Sequence, residues 1–213
     1  MRVSGGFWRN GQPRSNWRAR FHPFFTIRGD CWYMTNYRRR RIPGGTYFFT
    51  VNLAERGSTL LVDHIHDLRC AYLDTWKDRP FRCDAFVVLP DQLHAIWTLP
   101  VGDSDFSNRW GAIKSRFTRR VKGKMGATPI LRSPSKIKKG DAGIWQRRFW
   151  EHAIRDSRDY DIHLHYCWNS PVKHGHAARA IDWPYSSIHR DIRVGLKSPN
   201  SSDENSTANG DTQ

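Results

Sequence analysis

No continuous apolar run approaches the about 18 residues that would mark a bilayer-spanning helix, so no membrane-embedded role is expected. Cysteine is sparse. The four present, Cys31, Cys70, Cys83 and Cys167, form no CxxC pair, and their spacing suits neither a zinc site nor a disulfide framework. They read as reduced thiols of a cytosolic protein. No internal repeat recurs, which excludes solenoids and propellers. The first 30 residues lack the apolar segment of a secretory signal. Acidic side chains are the most telling shortage: 20 Asp and Glu face 35 Lys and Arg, a net charge of +15 across 213 residues. Self-repulsion on that scale does nothing for folding, so it points to a polyanionic partner, nucleic acid ahead of an anionic membrane surface.

What the chain does have is aromatic bulk, including ten Trp, enough for one domain's core and for stacking surfaces. Residues 1–33, rich in Arg, Gly, Asn and Pro, show no sustained periodicity and are expected to be a disordered extension. Met34 reads as a natural start, and a start codon misassigned upstream would account for the extension. The domain is expected over residues 34–196, followed by a disordered polar tail over 197–213.

Within the domain the pattern reads strand, helix, strand, strand, helix, strand, helix. Residues 46–53, TYFFTVNL, are β-branched and aromatic, which suits a strand. Apolar spacing of three and four predicts a helix over 62–77, and strands follow over 81–89 and through LHAIWTLP. Asp105 or Ser107 is positioned to cap a helix carrying Trp110, Ile113 and Phe117 and ending near Gly123. Residues 144–156 suggest a further strand. Ser157 or Asp159 then caps a helix with His163, Tyr166 and Cys167 that is expected to fail before Pro171.

The stretch PDQLHAIW carries the first candidate chemistry. Side chains two apart on a strand share a face, so Gln92 and His94 project together. His94 is a candidate metal ligand or, more blandly, a satisfied half-buried histidine. Two His-x-His triplets compete for attention, His64-Ile65-His66 and His163-Leu164-His165. Both fall on helices, where residues two apart diverge by about 200°, so neither chelates as a pair. The run Arg38, Arg39, Arg40 and Arg41 is read as phosphate-contacting rather than as a solvated arm. Lys114, Arg116, Arg119, Arg120, Arg147 and Arg148 lie in the most basic region, residues 114–148, where Asp141 is the single acid. Its middle has the Gly, Pro and Ser content of a loop.

Several of these segments together carry a family resemblance. NYRRRRIPGGTYFFTVNL, RPFRCDAFVVLPDQLHAIWTLP, FSNRWGAIKSRFTRR, GIWQRRFWEHAIRD, and HYCWNSPVKHG with DWPYSSIHRD resemble the REP-associated tyrosine transposases, in the HUH superfamily of single-strand DNA endonucleases. The likeness spans about residues 34–195. It implies an α+β fold, a ferredoxin-like or RRM-like antiparallel sheet with helices packed on it. It implies cleavage beside hairpins of repetitive extragenic palindromes, through a 5′-phosphotyrosyl intermediate and with a divalent metal, Mg²⁺ or Mn²⁺. By position, the nucleophile falls on Tyr166 and the metal ligands on His94, Gln92 and Ser170. The partner implied is hairpin-bearing single-stranded DNA, and the setting cytoplasmic and nucleoid-associated.

Two positions depart from the family pattern. Gln92 stands where imidazole is usual and Ser170 where the amide of Asn is usual, both weaker ligands for a hard cation. A shift of Asn169 would compensate. Two alternatives therefore stand beside the endonuclease: a hairpin-binding protein that does not cut, and an RNA-binding sheet that stacks bases on Phe48 and Trp97.

Overall fold

The computed structural model describes residues 39–124 and 142–195; the expected extension over 1–33, Arg38, most of the basic loop and the tail over 197–213 lie outside the described residues. Strands β1 (Thr46–Asn52), β2 (Arg82–Val88), β3 (Gln92–Thr98) and β4 (Trp150–Ala153) form one antiparallel sheet in the order β2-β3-β1-β4. β3 is buried along its length except at Thr98, and β1 buries Tyr47, Phe49 and Val51 on one side and Phe48 on the other, as suits the two central strands. Their register sets Phe48 opposite Ile96, Thr50 opposite His94 and Asn52 opposite Gln92.

Alternation sends Tyr47, Phe49, Val51, Leu93, Ala95 and Trp97 to one face. There they meet α1 (Leu60–Asp63), α2 (Ile65–Asp78) and α3 (Phe106–Lys122). The indoles of Trp97 and Trp110 stack with centroids 4.1 Å apart and planes 14° from parallel. Asp105 does cap α3, accepting from Asn108 N at 3.1 Å, and Gly123 follows its end. Arg109, buried beneath this layer, donates to the carbonyls of Arg79, Pro80 and Asp105 and pairs with Asp103 at 2.6 Å. A buried guanidinium is tolerated because its donors are met.

Phe48, Val87 and Ile96 point the other way, to a smaller core with Cys167, Trp168 and Ile188. This face is covered by α4 (Ser157–Lys173), a 3₁₀ turn (Ala180–Asp182) and α5 (Ile188–Arg193). The C-terminal segment also closes the outer edge of β2: Val88 N donates to Tyr185 O at 2.9 Å and Ser187 N to Phe86 O at 2.8 Å, while Phe86 N donates to Ser187 Oγ.

Four expectations shift. The first helix breaks in two at His64, where the backbone leaves helical geometry, and His64 pairs with Asp67 at 3.3 Å. The strand expected over 144–156 forms only at Trp150–Ala153; upstream of it Trp145 makes a single bridge to Leu53. The cap of α4 is Asp156, which accepts from Asp159 N at 2.8 Å, not Ser157 or Asp159. α4 also runs through Pro171 to Lys173. Proline cannot donate to the carbonyl four residues back, here Cys167. Ser170 Oγ donates to that same oxygen at 2.8 Å, so the helix continues without a buried unpaired carbonyl.

Candidate active site

His94 stands at the centre of β3, 1% exposed, with its ring stacked on Phe48 at 5.6 Å. Thr50, its cross-strand neighbour, lies 3.0 Å from Nδ1. The tautomer that donates Nδ1–H to Thr50 turns the Nε2 lone pair toward the gap under α4. Nε2 is buried and has no hydrogen-bond partner among the described residues. Burial, then the positive fields of His174, Lys173 and Arg56, push the imidazole down to about 3. At neutral pH it is an uncharged base with a free lone pair.

Gln92 shares this face, as strand alternation requires, and is 2% exposed. Its Nε2 donates to His174 Nε2 at 3.0 Å, and its oxygen accepts from Arg56 at 3.3 Å. Arg56 is held in turn by Asp91 at 3.3 Å and Asn52 at 3.2 Å. Tyr166, half-buried on α4, meets His94 edge-on with centroids 5.3 Å apart, and Phe48 at 5.6 Å. Burial, with Cys167 adding to it, raises the phenol above its ordinary value. Lys173 Nζ lies 4.7 Å from the centre of the same ring. His94 and Tyr166 thus meet in the gap under α4, with Gln92 two residues from His94 on the same face of β3.

Ser170 has its hydroxyl proton committed to the Cys167 carbonyl, as described above. Asn169 turns outward and donates to His165 O at 3.0 Å, so it does not compensate for Ser170. The residue that does reach Gln92 is His174, which sequence reasoning passed over. It lies four residues beyond Ser170 on the same helix, and that spacing was the available signal. Neither His-x-His triplet chelates as a pair: His66 lies beside Cys70 at 3.5 Å, and His163 Nδ1 donates to Asp159 O at 2.8 Å.

A second group, His152, Asp159 and His163, brings three ligand atoms within 4.8 Å of one another. Here the carboxylate is already engaged by His152 at 2.8 Å and by Arg155 through its backbone N and Nε at 3.0 and 3.1 Å. Burial works against the charged form, but these hydrogen bonds prevail and hold the Asp159 carboxyl well below the usual range. With a guanidinium on it, the group joins β4 to the first turn of α4 rather than inviting a cation.

The basic residues do not line this gap. α3 buries its apolar stripe on the opposite face of the sheet, so Lys114, Arg116, Arg119 and Arg120 lie away from His94. Arg116 pairs with Asp78, and Arg120 with Asp74 at 2.7 Å, which ties α3 to α2. Lys114 donates to Gln146 O at 2.9 Å beside Trp145 and Phe149. Arg39 pairs with Glu151 at 3.3 Å and lies 4.3 Å from the Phe149 ring centre. Arg40, Arg41, Arg119, Arg147 and Arg148 are exposed. The positive charge at the gap comes instead from Lys173 and Arg56.

An antiparallel sheet thus sets a strand imidazole against a phenol on the helix that covers it. No protein-family model matches the chain. It is 47% identical over 163 residues to the REP-associated tyrosine transposase of Escherichia coli (strain K12), covering 76% of this chain and 88% of that one. A Haemophilus influenzae relative bearing the same family name is 42% identical over 163 residues, covering 76% of this chain and 90% of its own. A solved REP-associated tyrosine transposase bound to a REP hairpin superposes with a TM-score of 0.69 at 44% identity, covering 84% of this chain and 99% of that one. The chain belongs to the REP-associated tyrosine transposase family.

Proposed function

We propose that the chain binds single-stranded DNA folded into palindromic hairpins and cuts the strand beside the hairpin with Tyr166 as nucleophile. The observation that carries this reading is the meeting of Tyr166 with His94 across the gap between α4 and β3. In the cut, the phenol gives up its proton and its oxygen bonds to phosphorus. The bond from phosphorus to the 3′-oxygen of the preceding nucleotide breaks, and that oxygen takes up a proton. A 5′-phosphotyrosyl link and a free 3′-hydroxyl result, so the bond energy is kept for rejoining.

A neutral, buried imidazole nitrogen without a hydrogen-bond partner among the described residues fits a divalent cation such as Mg²⁺ or Mn²⁺. When bound, the cation would neutralise charge developing on the phosphoryl oxygens. Phe48 fixes the rings of His94 and Tyr166 in place, which orients the phenol toward the scissile phosphate. Burial opposes the phenolate and Lys173 favours it. The exposed Arg40, Arg41, Arg119, Arg147 and Arg148, with Arg38, supply phosphate contacts, and Arg39, Lys114, Arg116 and Arg120 do so where they exchange their internal partners. Among the described residues no helix is long and apolar enough to cross a membrane. Action on chromosomal hairpins sets the protein in the cytoplasm with the nucleoid.

A labelled hairpin oligonucleotide incubated with Mn²⁺ or Mg²⁺ is expected to form a covalent protein–DNA adduct that Tyr166→Phe abolishes while hairpin affinity stays within about twofold. An adduct that survives Tyr166→Phe defeats the assignment. One observation favours binding without cleavage: the Arg56 guanidinium on the Gln92 oxygen brings a competing positive charge to the cation's place. Hairpin binding with no adduct under either metal would establish that reading. The RNA alternative loses its basis, because Phe48 is 2% and Trp97 0% exposed and neither offers a face to a base.

A further inference from the structure

A second imidazole, that of His174, comes from the end of α4 to Gln92, two residues before His94 on the same face of β3. We propose that His174, from the end of α4, is the second nitrogen ligand of the divalent cation, taking over the part that Gln92 cannot play and Ser170 does not. This rests on the metal-using reading of the site given above.

Three observations converge on it. His94 Nε2 is buried and has no hydrogen-bond partner among the described residues. His174 Nε2 accepts from the Gln92 amide at 3.0 Å, so its lone pair is already directed at the residue beside His94, and its proton sits on Nδ1. The third is how firmly His174 is held. It is the C-cap of α4, followed by Gly175 in left-handed geometry (φ 72°). Gly175 N donates to Val172 O at 3.0 Å and His176 N to Pro171 O at 2.8 Å, the paired bonds of a Schellman ending. A glycine is required there because a Cβ in that region is strained. The ending thus fixes the ring of His174 relative to Tyr166, two turns earlier on the same helix.

Chemistry agrees with position. The carbonyl end of a helix carries partial negative charge and favours a cation. A pair of imidazoles divided between β3 and α4 also couples the ligand set to the nucleophile, since one ligand and the phenol ride on one helix. The Gln92 amide holds the His174 lone pair until a cation takes that place.

The test uses the full chain and Mn²⁺. Titration followed by electron paramagnetic resonance gives the affinity, and pulsed measurement of ¹⁴N couplings counts coordinated imidazoles. Two imidazoles are expected for the wild type. His174→Ala is expected to leave one and to weaken Mn²⁺ binding by about 10–100-fold, whereas Ser170→Ala leaves both count and affinity unchanged. Circular dichroism, and hairpin binding in EDTA, confirm that each variant is folded. The proposal is overturned if His174→Ala keeps the count and affinity of the wild type, if Ser170→Ala is the variant that loses the metal, or if the folded wild type binds no Mn²⁺. Two imidazoles without a DNA adduct support the ligand and sink only the cleavage reading.

Discussion

The two faces of the sheet are built to opposite rules. The face under α2 and α3 closes over Phe49, Trp97, Trp110 and Phe117, and its buried Arg109 is met by three carbonyls and a carboxylate. The face under α4 is smaller, and it buries Gln92, His94 and Ser170 among Phe48, Ile96 and Trp168. Unpaired polar atoms occur on both, but they differ in kind. On the larger face they include the indole N–H groups of Trp97 and Trp110, donors with no lone pair for a cation. On the smaller face they include Asp191 Oδ2, at its margin, and His94 Nε2, whose ring lies 5.3 Å from that of a tyrosine. An unmet buried group points to function only where its chemistry matches something that could arrive.

The largest test of this division removes bulk from the first face. Trp110→Ala should lower stability by about 3–5 kcal/mol in urea denaturation, while the folded fraction keeps its Mn²⁺ affinity. A metal defect there would mean that the faces are not independent. Acid probes the second face. His94 is held at about 3 when folded, against 6.5 for an unburied histidine. Above 6.5 both states are neutral and the group is silent. As pH falls through 6.5 toward 3 the unfolded chain binds a proton that the folded chain refuses. Stability should then drop by up to about 1.4 kcal/mol per pH unit. His94→Asn should flatten that slope; a slope unchanged by the substitution would show that the imidazole is not the group responsible. The smallest expected effect is Ser170→Ala, about 1–2 kcal/mol from the carbonyl left bare behind Pro171. A null result in thermal melts would separate Ser170 from helix repair.

Local pattern carried far in this chain. Period two placed Gln92 and His94 on one face, and the helix bearing Tyr166 was legible although its cap, Asp156, lies one residue before the first position expected. Three things were hidden for physical reasons. His174 meets Gln92 across 82 positions of sequence, beyond any periodicity. Pro171 reads as a stop because the usual rule counts the lost donor and not a hydroxyl one residue earlier that can replace it. The basic stripe of α3 was legible as a stripe, but amphipathicity says only that one side is buried. It does not say against which face of a sheet, and so the position of Lys114, Arg116, Arg119 and Arg120 relative to His94 could not be read from it.

The outer margin of β2 has a bearing on how copies of this molecule meet. An open strand offers a zipper to any identical strand, and proteins that crowd onto a shared polymer raise one another's local concentration. Here residues 185–187 occupy that margin with their own backbone, while β4 at the far side is only four residues long. That margin is thereby denied to the strand of a second copy, and a contact made there has to go through side chains, where sequence can choose the partner.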